Sequence, residues 1–124
     1  MQVDFYKRLT ALLDELQREL NQEVIDYNKV ALFAEFALNR AYEILLLNGG
    51  EFELQHAERV IQYTLQVTPD ISSFLHQGRS LLNDMAKASN QQQIASICAL
   101  LVEQLLYIKT IANSRMNLSE YLLD

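Results

Sequence analysis

The sequence predicts an all-α protein, an antiparallel bundle of four or five helices that pairs as a dimer. Three observations lead there. The 124 residues include one proline and three glycines, too few for the tight turns of a β-rich fold. Apolar residues recur at spacings of three and four over long uninterrupted segments, which is the helical period. Half of the residues are apolar, enough to bury a core without disulfides or a metal. By length the chain is one domain, 1–124.

The first helix is expected over residues 3–26. Leu9, Leu13, Leu16, Leu20, Val24 and Tyr27 form its apolar stripe. The opposite face carries Lys7, Arg8, Asp14, Glu15, Arg18, Glu19, Gln22 and Glu23, a solvated face. At residues 26–29 there is no glycine or proline. Either Asp26 or Asn28 caps a new helix, or one helix runs from 3 to 47. At 1.5 Å per residue that single helix would span roughly 68 Å, far longer than a globule of this size. A break or kink is therefore expected.

The central helix, 29–47, organises the chain. Of residues 30–47, all but Glu35, Asn39, Arg40 and Glu43 are apolar or aromatic. Those four make one narrow polar stripe. An apolar majority requires neighbours on several sides, so Phe33, Phe36 and Leu45 are expected to be buried. Asn48, Gly49 and Gly50 end this helix, since glycine accepts the left-handed conformation cheaply.

A third helix is expected over 51–67, with Glu51 and Glu53 at the positive end of its dipole. Its inward face is Phe52, Leu54, Ala57, Val60, Ile61 and Leu65. Thr68 reads as the next N-cap, Pro69 as the first helical residue and Asp70 as a dipole partner. The helix 69–88 points Ile71, Phe74, Leu75, Leu82 and Met85 inward, with Gly78 on the same stripe. Gly78 marks either a close approach of another helix or ligand, or a tolerated defect costing about 1 kcal/mol against alanine. Ser89 or Asn90 caps the last long helix, 91–113, whose stripe is Ile94, Ile97, Cys98, Leu101, Leu105, Ile108 and Ala112. Between Ala88 and Ile108 the one charge is Glu103, a composition closer to an interface than to a solvated surface. Residues 117–124 read as a short turn or a docking tail.

The formal net charge is −6, most of it in residues 1–62, and no Lys/Arg cluster exists. Nucleic-acid binding is not expected, because phosphate contacts need concentrated positive charge. The segment 30–47 is short for a membrane span and carries both signs of charge at mid-depth, so no membrane is expected. The first residues form an amphipathic helix rather than a signal peptide, and the single cysteine, Cys98, excludes an internal disulfide. A cytoplasmic location is the expectation.

Glu53 and His56 form one E-x-x-H on a helix, the weak metal candidate of the chain. Di-iron bundles need two such copies plus two further glutamates. His76 has Ser73 three residues before it, so the second copy is missing, and neither metal nor cofactor is expected. Cys98 sits in apolar company, unsuited to a nucleophile. No phosphate loop and no G-x-S-x-G occur. The expected function is a non-enzymatic interaction protein, an adaptor, chaperone or small regulator. Its partner is a second copy or another protein. A metal- or cofactor-binding bundle using Glu53 and His56 is the alternative, and an enzyme built from scattered Glu and Tyr residues is a third. Candidate contact residues are Phe33 and Ala37 on the central helix, Gly78, and Val102, Gln104, Leu106 and Tyr107 on the last helix.

Overall fold

A computed structural model describes the backbone of residues 2–64 and 70–123, and the side chains of 4–57 and 70–116. Within those residues the chain is all-α: α1 Gln2–Leu20, α2 Tyr27–Leu47, α3 Glu51–Thr64, α4 Ile71–Ala86 and α5 Gln91–Leu123. α5 packs on α2, α4 and α3, while α1 covers α2 and α4. Leu9, Leu13 and Leu16 of α1 meet Ala34, Leu38, Ile44 and Leu45 of α2, Leu75 and Met85 of α4, and Leu101, Leu105 and Ile108 of α5 in one core.

The first two helices are separate, and α1 stops six residues short of the expected 26. Nothing in the sequence marks this stop, because contacts beyond a single helical turn make it. The Glu19 carboxylate accepts the Asp26 N–H at 3.1 Å and folds the turn back on the helix end. Asp26 then caps α2, its Oδ1 accepting from the amides of Asn28 and Lys29. Val24, expected on the core stripe, lies in this turn and is 84% exposed.

α2 ends as its sequence dictates. Gly49 takes φ +72°, its N–H reaches Leu46 O, and the Gly50 N–H reaches Leu45 O at 3.0 Å. That pair of bonds satisfies carbonyls that the last turn would otherwise leave orphaned. Buried Asn48 donates its side-chain amide to Ile44 O at 2.7 Å. A Cβ on Gly50 would collide with the Leu45 side chain, whereas one on Gly49 meets only the conformational penalty. Gly49→Ala should therefore cost about 1–2 kcal/mol, the left-handed penalty for an L-residue, read as a lower urea midpoint at unchanged slope.

The core face of α2 is Val30, Ala34, Ala37, Leu38, Ala41, Ile44 and Leu45. Leu45 is buried as expected and Phe33 is half-buried. Phe36 is not buried: it is 45% exposed, because α1 and α5 together cover less of the circumference of α2 than its apolar content invites. Phe52, expected to face inward, is 78% exposed at the start of α3. The expected inward residues Val60, Ile61 and Leu65, and the Thr68–Pro69 boundary, lie outside the described side chains.

Asp70, rather than Thr68, is the N-cap of α4, with its carboxylate accepting the Ser72 N–H at 3.0 Å. Gly78 is a site of close approach. A Cβ there would stand 3.3 Å from Leu101 Cδ1 of α5, tighter than ordinary contact. Phe74 is half-buried and stacks on Tyr107, ring centroids 4.8 Å apart. Asn90 caps α5 by accepting the Gln93 N–H at 2.9 Å, while Gln93 Oε1 accepts from Ser89 in return.

α5 does not end at 113 but continues through Leu123, 33 residues in all. No glycine or proline interrupts residues 113–123, so the helix has no reason to stop. Arg115 ties the extension to α2, donating to the Tyr27 hydroxyl at 3.0 Å with its guanidinium 5.2 Å from that ring's centre. By length and apolarity the segment Gln91–Met116 is long enough to cross a membrane, with half of its most apolar window buried inside the protein. The core helix of a bundle has the same composition.

Candidate interaction surface

Consecutive helices joined by a short turn lie antiparallel, and the α1–α2 pair does so with a defined register. An open groove of about 360 Å³ runs between them, lined by Arg8, Ala11 and Leu12 of α1 and by Phe36 and Arg40 of α2. Arg8 is thus level with Arg40, and Ala11–Leu12 with Phe36. Leu32, one turn before Phe36, is 50% exposed on the same side. Arg40 is paired with Glu43 at 3.3 Å, and Glu15 with Arg18 at 2.9 Å. The exposed Arg18–Glu15 pair contributes little to stability, whereas the Arg40–Glu43 pair is half-buried and its Glu43 Oε2 is enclosed. The result is an apolar strip with an aromatic ring at its middle and arginines at one end.

The polar stripe expected on α2 is real but shared out. Glu35 pairs with Lys109 of α5, and Glu43 with Arg40. The line of Asn39 and Glu43 continues upstream through Phe36 and Leu32, so apolar side chains fill the outward half of this stripe.

The seven contact candidates divide. Ala37, Gly78, Val102 and Tyr107 are enclosed in the protein's own core. α4 covers that side of α5, which is why so little charge is needed between Ala88 and Ile108. Phe33, Gln104 and Leu106 are half-buried. Gln104 Oε1 is enclosed without a hydrogen-bond partner among the described residues.

The chemical candidates stand apart. Glu53 is half-buried and His56 exposed. Among the described residues, no group of three or more His, Cys, Asp or Glu side chains converges as a metal ion would require. Glu103 on α5 faces His56; burial raises its carboxyl pKa, while the nearby histidine opposes that rise. Cys98 is buried, its thiol donating to Ala41 O at 3.2 Å. Desolvation pushes this thiol up to about 12, which keeps it protonated at neutral pH. Burial likewise raises the Tyr6 hydroxyl, with a smaller push from Cys98.

Sequence reasoning does not single out the groove residues Arg8, Leu12 and Phe36 as a site. The signal it offers is the pair of apolar residues, Leu32 and Phe36, in line with Asn39 and Glu43. Comparison of the chain with protein-family models, with curated proteins and with solved structures finds no match.

Proposed function

We propose that the protein is a non-enzymatic interaction module, an adaptor, chaperone or small regulator that works through the outer face of α1 and α2. The single observation that supports it most is Phe36, 45% exposed over a groove walled by Ala11 and Leu12 and framed by two arginines. A phenylalanine ring held half out of water gives up burial free energy at about 25 cal/mol per Å² of apolar area. Aromatic residues and arginine are the types that anchor interfaces, and this face gathers both.

The test is photo-crosslinking in cells that make the protein. A photoreactive phenylalanine analogue at position 36 should yield a discrete protein adduct. The same analogue in place of exposed Ser80, on α4, should yield none. Equal labelling at the two positions, or none at 36, would remove this face from the reading.

A further inference from the structure

We infer that the α1–α2 face closes on a second copy of itself, antiparallel about a twofold axis at the level of Leu12 and Phe36, with Arg8 of each copy against Glu15 of the other. This rests on the interaction reading above and names the occupant.

Register and charge sign select this arrangement. Ala11–Leu12 is level with Phe36. On α1, Arg8 and Glu15 share one stripe and stand on either side of that level, each about 5 Å from it along the helix. On α2, Lys29 and Glu43 share the stripe of Phe36, seven residues before and after it, each about 10 Å away. Arg8 and Lys29 are exposed. The side chains of Glu15 and Glu43 are 38% and 40% accessible, Glu15 shared with Arg18 and Glu43 with Arg40, the paired oxygen of Glu43 being enclosed.

A twofold axis lying across both helices keeps α1 over α1 and α2 over α2 while exchanging their ends. Arg8 then meets the second copy's Glu15, and Lys29 meets its Glu43, each pair occurring twice. Phe36 meets Phe36 at the axis, and the aliphatic stem of Arg40 covers the second copy's Leu32. One like-charged match remains, Asp4 against Glu19, about 11 Å from the axis. Glu19 is already turned toward the Asp26 amide. The other face-to-face twofold, with its axis along the helices, sets Arg8 against Arg40 and Asp4 against Glu43, with Glu19 against Lys29 its attractive match. Its repulsive matches outnumber the attractive one, so complementarity favours the first.

Light scattering at micromolar concentration tests this. The wild-type chain should have twice the mass of 14.3 kDa. Arg8→Glu alone and Glu15→Arg alone each set two like-charged pairs across the axis, and each should fall to 14.3 kDa with helicity retained. An equimolar mixture of the two variants should return to the doubled mass, because each substituted residue then meets its opposite in the other chain. Rescue within one chain is ruled out, since residues 8 and 15 are about 10 Å apart along a single helix. Lys29→Glu and Glu43→Lys provide an independent complementary pair, should either first variant lose helicity. Single variants that stay dimeric, or mixtures that stay monomeric, overturn the proposal. A monomeric wild-type chain overturns it too. Crosslinking from position 36 to a different protein would in that case preserve the interaction reading, whereas no crosslink at all would end both.

Discussion

Leu105→Ala should lower the free energy of unfolding by about 2–5 kcal/mol, several times the loss expected of a surface substitution. Leu105 is fully buried on α5, the helix packed against α2, α3 and α4. Truncation removes its transfer free energy and leaves a cavity, and neighbours held by several helices cannot relax into it. A typical domain has only about 5–15 kcal/mol of stability, so the variant should melt well below the parent. Phe36→Ala is the control. With its ring half in water in the single chain, it should cost a small fraction of that where the chain is monomeric, while abolishing the doubled mass where the parent is paired. Urea denaturation of both variants settles the contrast; equal losses would mean that Phe36 packs as core.

The second large effect is alkaline. Cys98 titrates near 12 in the folded protein and near 8.5 in an unfolded chain. A raised folded pKa means that the contribution is fully present below the unfolded value and is lost as pH rises toward the folded one. The unfolded state releases the proton first, so stability should fall from about pH 9 upward, by about 1.4 kcal/mol per pH unit from this thiol. Cys98→Ala removes that slope while shaving a little packing. Comparing the two proteins between pH 8 and 11 isolates the thiol from the tyrosines, which titrate in both. Parallel curves would show that Cys98 is open to solvent. Native Cys98 should also resist alkylation until the protein is unfolded.

The helices are legible in the sequence because their causes are local. Period, the Gly49–Gly50 stop and the caps at Asp26 and Asn90 are set by residues within one turn of each other. The end of α1 is not legible, because a carboxylate seven residues from its partner makes it. The continuation of α5 past 113 follows from the absence of a glycine or proline there, and Arg115 reaching Tyr27 ties it to α2. The limit met at the end of α1 also hides the groove. An apolar majority on α2 says that neighbours are needed, but the side left over depends on how α1 and α5 arrange themselves. Burial of Phe36 is therefore the wrong expectation, while that of Leu45, on the opposite side, is the right one. The low-charge stretch of α5 reads as a contact face for a second molecule, but α4 and α3 already occupy part of it.

The order of the helices along the chain has a consequence for synthesis. Among the described residues α5 is the last of five helices, yet it is the wall against which α2, α3 and α4 are built. Until it emerges, the buried alanines and leucines of α2 have only α1 and part of α3 to cover them. At about 5–20 residues per second, a ribosome needs several seconds to add those 33 residues. During that interval the nascent chain displays its future core, and a holding factor would find its substrate there rather than in the finished protein.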